Sequence, residues 1–115
     1  MDTADAGRAG LVIGVDLGTT STKAVAYDAE GNAAATSSVA YELREPCPGY
    51  AEQDPAEILA AVLETLRQVV AAADRPVEGV SFSSAMHSLL GLDEAGTPYA
   101  AWVASTATCW ALWWR

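Results

Sequence analysis

The 115 residues predict an α/β chain in which a mixed sheet is covered by one long helix, in the order β-β-β-α-β. Three observations carry this prediction. Short apolar runs separated by turn residues fill 11–43, a capped stretch with helical spacing fills 54–75, and another short apolar run follows Pro76. A meander followed by a helix and a returning strand gives a mixed sheet with a covering helix.

Met1 to Gly10 is small, polar and aperiodic, and is expected to form a loose leader before a domain spanning 11–96. Leu11 to Asp16 is rich in Val and Ile, the pattern of a strand buried on both faces. Gly18-Thr19-Thr20 supplies a tight turn, and Thr22 to Asp28 returns as a second strand. Asp28-Ala29-Glu30-Gly31-Asn32 has the chemistry of a hairpin connection, after which Ala33 to Leu43 alternates as a third strand. Pro46, Pro48 and Gly49 mark a loop. Asp54 then stands as an N-cap, with Pro55 at the first helical position and Glu57 where a capping box places it. Ile58, Leu59, Val62, Leu63, Leu66, Val69 and Val70 recur with helical spacing, and the helix is expected to end before Pro76. Val77 to Ser83 reads as a fourth strand and Leu89 to Leu92 as a fifth, closing on the turn Asp93-Glu94-Ala95-Gly96.

Composition excludes several function classes. Hydrophobic residues at 51% against 18% charged fit a chain that buries a core rather than a disordered one. The net charge is −9, and the six basic residues (Arg8, Lys23, Arg44, Arg67, Arg75, Arg115) are scattered singly. With no basic cluster, a nucleic-acid partner is not expected. An acidic chain still binds an anionic nucleotide where backbone N–H groups and Mg²⁺ supply the local positive field. Cys47 and Cys109 are far apart and form no CxxC, so neither a disulfide framework nor a zinc site is expected, and the default compartment is the cytoplasm. Asp2 and Asp5 stand where a signal peptide needs basic residues. The uncharged stretch Ala95 to Trp114 is long enough for a membrane span, but Gly96, Pro98, Ser105, Thr106 and Thr108 interrupt it, so no membrane partner is expected.

The stretch Asp16-Leu17-Gly18-Thr19-Thr20-Ser21-Thr22-Lys23 carries the chemistry. Asp16 ends an apolar strand, so its carboxylate emerges at the strand's carboxyl edge. The backbone N–H groups of Gly18 and Thr19, exposed in the turn, can form an anion-binding concavity, four consecutive hydroxyls add donors, and Lys23 adds a positive charge. Phosphoryl transfer needs this kit: an acid for hydrated Mg²⁺ and donors for phosphate oxygens. The P-loop spacing is absent. On residue types alone, a threonine-rich hairpin turn stands beside this reading.

The octet resembles the first phosphate motif of the FGGY carbohydrate kinases, within the actin-like ATPase superfamily. Pro48-Gly49-Tyr50-Ala51-Glu52-Gln53-Asp54-Pro55 is similar to the PGW-x-EQDP segment of those kinases, with Tyr50 where Trp is usual. Ser81-Phe82-Ser83-Ser84-Ala85-Met86-His87-Ser88 is similar to their sugar-side strand end, in the form that looks most like gluconokinase. The resemblance implies a partial ribonuclease H-like domain and ATP-dependent phosphorylation of a sugar or sugar acid, gluconate first. It implies ATP and Mg²⁺ as cofactors, nucleotide contacts at Asp16, Gly18, Thr19, Thr20, Ser21 and Lys23, and the metal at Asp16. Met86 and His87 are implied to contact sugar hydroxyls; a satisfied histidine at a strand end is the plainer alternative for His87. Arg67 and Arg75 are expected to be solvated helix-face charges.

No catalytic residue is expected in these 115 residues, because in this family the proton-accepting Asp lies further along, so the remainder of a kinase chain is the implied partner. Alone, the segment is expected to be inactive. From about Thr97 the sequence departs from the family's pattern, and three of its four Trp fall in the last six residues. A shifted or truncated reading frame over 97–115 is the expectation drawn from that departure. A nucleotide-binding module of the actin or Hsp70 type, and a fragment without function, are the alternatives.

Overall fold

The computed structural model describes residues 9–49, 51–85, 88–99 and 102–104. The meander is β1 (Leu11–Leu17), β2 (Ser21–Tyr27) and β3 (Ala33–Ala40). It is followed by β4 (Glu52–Gln53), α1 (Pro55–Ala73), β5 (Val77–Ser84), β6 (Ser88–Leu89) and β7 (Trp102–Ala104). The main sheet runs β3-β2-β1-β5, with β5 parallel to β1 and the other neighbours antiparallel. The predicted β-β-β-α-β order holds, and the sheet is mixed.

Along β1, Leu11, Ile13 and Val15 are buried while Val12 and Asp16 are exposed. Ala24 and Ala26 of β2 and Val69 of α1 complete that core. Burying Leu11, Ile13 and Val69 contributes about 1.5–3 kcal/mol each. The expectation of a strand buried on both faces is therefore corrected. Among the described residues only one face of β1 is covered, because the single helix lies across β2 and β3 on that side. β5 lies beyond the helix's reach, which leaves Val80 and Phe82 exposed.

The helix begins as predicted. Asp54 holds extended backbone angles and its Oδ1 accepts from the Ala56 N–H at 2.8 Å, with Pro55 next. It ends at Asp74, whose φ of 46° is left-handed, before Pro76. Its apolar stripe is only partly used: Ile58, Val62 and Val69 are buried, whereas Leu59, Leu63 and Val70 are exposed. The small Ala61 and Thr65 are buried where the helix meets the sheet, and the Thr65 hydroxyl donates to the Ala61 carbonyl at 2.7 Å, which satisfies it without a tertiary partner. Glu57 does not close a capping box; its Oε1 accepts from Arg44 Nη2 at 3.1 Å. Arg67 pairs with Glu64 on the exposed helix face, while Arg75 lies past the helix end and donates to the Ala9 carbonyl.

A second sheet, β4-β7-β6, was not foreseen. Two-residue strands carry no readable alternation, and β4 finds its partner β7 about fifty residues later. The expected strand over Leu89–Leu92 reduces to Ser88–Leu89 and an isolated bridge between Leu92 and Pro98. The leader up to residue 8 and the tail beyond residue 104 lie outside the described residues. No described helix is long and apolar enough to cross a membrane.

Candidate functional site

The carboxyl ends of β1 and β5 lie side by side at one edge of the sheet. Asp16 pairs in register with Lys23 on β2 and with Ser83 on β5. Residues so paired share a face and sit about 4.5–5.5 Å apart at Cβ across an antiparallel pair. Here it is the face turned from α1, because Asp16 and Lys23 alternate with the buried Val15, Thr22 and Ala24. No ion pair joins Asp16 to Lys23 among the described residues. A groove of about 360 Å³ runs along this face, with Asp16, Lys23 and Ser83 at one end and Tyr27 in its lining. Edges formed by the carboxyl ends of parallel strands are where open α/β sheets receive ligands.

The turn after β1 is closed by the Gly18 N–H donating to the Ser21 carbonyl at 2.9 Å, so that N–H, expected to face an anion, is used inside the turn. A side chain at Gly18 would bring its Cβ within 3.0 Å of that oxygen, so glycine suits the close approach. The Gly18 carbonyl accepts from the Tyr41 hydroxyl, the Thr19 carbonyl from the Gln53 side-chain amide, and the Thr20 carbonyl from the Tyr41 N–H at 3.0 Å. The N–H groups of Thr19 and Thr20 have no acceptor among the described residues, and both residues are exposed. They remain available to an anion.

Of the residues singled out from the sequence, Asp16, Gly18, Thr19, Thr20, Ser21 and Lys23 are thus brought to one edge. Thr22 is not. Strand alternation turns it toward α1, where it is fully buried and its hydroxyl has no partner among the described residues, so the run offers three available hydroxyls rather than four. Met86 and His87 lie outside the described residues. The strand they follow is tied to the site, since the Ala85 N–H donates to the Leu17 carbonyl at 3.0 Å.

Tyr41 and Gln53 escaped the sequence reading. Gln53 lies within the Glu52-Gln53-Asp54-Pro55 segment, whose physical role in the sequence is mostly the helix cap, and its burial is what separates it. Tyr41 follows a strand and carries no local signature. Among the described residues no group of three or more His, Cys, Asp or Glu converges on a metal position. A lone carboxylate suits Mg²⁺, which takes one or two carboxylates and completes its shell with water and phosphate oxygens.

Residues 11–110 match the N-terminal domain of the FGGY family of carbohydrate kinases, a span that crosses Thr97 into the tail. A gluconokinase of Bacillus subtilis is 38% identical over 104 residues, covering 87% of this chain and 20% of that protein. A xylulose kinase of Staphylococcus epidermidis is 37% identical over 91 residues, covering 76% of this chain and 18% of that protein. Among solved structures, a gluconate kinase from Lactobacillus acidophilus superposes with a TM-score of 0.75 at 36% identity, covering 82% of this chain and 20% of that one. A ligand-bound xylulose kinase from the same species gives 0.78 at 38% identity, covering 82% and 19%. The chain spans about a fifth of the length of these relatives. With the meander, the covering helix and the parallel return strand all in place, the chain belongs to the FGGY family of carbohydrate kinases, as a partial domain of the ribonuclease H-like, actin-like ATPase fold.

Proposed function

We propose that this chain forms the nucleotide-phosphate edge, and part of the sugar pocket, of an ATP-dependent carbohydrate kinase. The observation that supports this most directly is Asp16 at the carboxyl end of β1, beside a turn whose Thr19 and Thr20 N–H groups lack acceptors among the described residues. Asp16 is the residue that would hold hydrated Mg²⁺. Mg·ATP held there would supply the transferable phosphoryl group, and its Mg²⁺ would offset the charge on the phosphate oxygens. The chain's own part is positioning: Thr19, Thr20 and Ser21 donate to phosphate oxygens and Lys23 adds a positive charge across from Asp16. Met86 and His87 contact sugar hydroxyls, and the proton-accepting Asp belongs to the rest of the kinase.

Gluconate is the favoured acceptor, on the resemblance of Ser81–Ser88 to the gluconokinase form and on the gluconokinase relative covering 87% of the chain. Xylulose is the second reading, favoured by the xylulose kinase likenesses at similar identity. Phosphoryl transfer from Mg·ATP to each sugar, measured in the kinase that carries this segment, tests both. A larger kcat/KM for gluconate is expected. The reverse order moves the assignment to xylulose, and no transfer to any sugar or polyol overturns the kinase reading. Asp16→Asn is expected to lower kcat on the order of 10²-fold with the fold retained.

A further inference from the structure

We infer that Tyr41 and Gln53 are positioning residues that aim the backbone N–H groups of Thr19 and Thr20 outward from the turn, toward a phosphate. The inference rests on the kinase reading for the identity of the ligand, but its geometry stands on the chain alone. A trans peptide is planar, with its C=O and N–H pointing in opposite directions. Whatever grips the carbonyl of one residue therefore aims the N–H of the next. The Tyr41 hydroxyl donates to the Gly18 carbonyl, which directs the Thr19 N–H the other way. The Gln53 amide donates to the Thr19 carbonyl, which directs the Thr20 N–H. Both N–H groups so directed lack an acceptor among the described residues.

Gln53 is suited to this task by its surroundings. It is 4% exposed, so its amide has little recourse to water and loses free energy if the Thr19 carbonyl is withdrawn. Its backbone pairs with Trp102 on β7, and the next residue, Asp54, caps α1. The side chain therefore springs from a point fixed on both sides by secondary structure. Tyr41 is held twice, by its hydroxyl on the Gly18 carbonyl and by its N–H on the Thr20 carbonyl. The helix-cap segment and the end of β3 thus set the orientation of donors they do not themselves provide.

The test uses the ¹⁵N-labelled chain with Gln53→Leu and Tyr41→Phe, reading amide shifts and hydrogen exchange at Thr19 and Thr20 together with Mg·ADP affinity by calorimetry. Gln53→Leu is expected to move the Thr20 amide most and Tyr41→Phe the Thr19 amide, with unchanged shifts in α1. Each variant is expected to weaken Mg·ADP by about tenfold, the worth of roughly one hydrogen bond. Folded variants whose Thr19 and Thr20 amides keep the parent's shifts and exchange rates overturn the inference. If the parent chain binds no Mg·ADP, that result counts against the nucleotide reading, and the amide readouts alone decide the positioning role. Should Gln53→Leu fail to fold, Tyr41→Phe, which removes a single hydroxyl, decides it by the same readouts.

Discussion

The turn joining β2 to β3 closes on itself, whereas the turn joining β1 to β2 is held by side chains from elsewhere. In the first, Asp28 Oδ1 accepts from the Glu30 and Asn32 N–H groups at 3.1 and 2.8 Å, and Asp28 Oδ2 accepts from the Asn32 side chain at 3.2 Å. Gly31, at a φ of 83°, completes it, and every partner lies within four residues. In the second, the carbonyls of Gly18 and Thr19 depend on Tyr41 and Gln53, which are 23 and 34 residues away. A self-closed turn saturates its own polar groups and offers little to a ligand. The turn whose carbonyls are held from a distance leaves its Thr19 and Thr20 N–H groups without acceptors among the described residues.

That contrast can be broken at several depths. Ile13→Ala removes a fully buried side chain from the strand leading into the candidate site, which also pairs with β2. It should cost about 2–5 kcal/mol in urea unfolding and loosen both turns together. Persistence of one turn's amide protection without the other would show that the two do not share a core. Gly31→Ala should cost about 1–2 kcal/mol, purely through the left-handed backbone, since no atom lies within 4 Å of the added Cβ. Its effect should stay in the β2–β3 turn; a change in Mg·ADP affinity would show that the two turns are coupled.

Asp54→Ala should cost about 1 kcal/mol through the lost cap. Because Asp54 adjoins Gln53, it should also speed exchange at Thr20 while leaving Glu30 and Asn32 unaffected, and equal acceleration in both turns would argue against a specific link. The smallest effect is the acid response of Asp28. The Asn32 N–H, with lesser help from the Asn32 side chain and the Glu30 N–H, holds its carboxyl below the ordinary value. A folded-state pKa below the unfolded one contributes stability that is present above about pH 3.9 and is lost as pH falls through the folded value. Asp28→Asn should remove that part of the acid limb in a Tm-versus-pH series; an unchanged limb would discount the carboxylate.

How much could be read in advance followed the range of the interactions. The Asp54 cap, the Pro76 stop and the Asp28–Asn32 hairpin are short-range devices, and each stands where the sequence put it. The Asp16–Lys23 stretch stands out in the sequence because its residue types are unusual at a strand end. The exposure of the helix residues Leu59 and Leu63, the one-sided burial of β1 and the sheet β4-β7-β6 were not legible. Periodicity reports that a face is apolar, and says nothing of whether a neighbour arrives to cover it. Glu57 shows the same limit: its spacing fitted a capping box, yet Arg44, thirteen residues earlier, took the carboxylate.

By itself, then, the sequence determined the order of the main sheet's strands and its helix, the helix ends, the self-closed turn and the acidic end of β1. Each depends on contacts within a few residues, where the chain has little choice of partner. Only the tertiary structure decided that Thr22 is buried on the helix side, that Ala85 ties β5 to β1, and that Tyr41 and Gln53 hold the turn. Those outcomes depend on which side of the sheet α1 covers and on where β3 and β4 end. Residue spacing does not encode these, because they arise from packing between segments tens of residues apart.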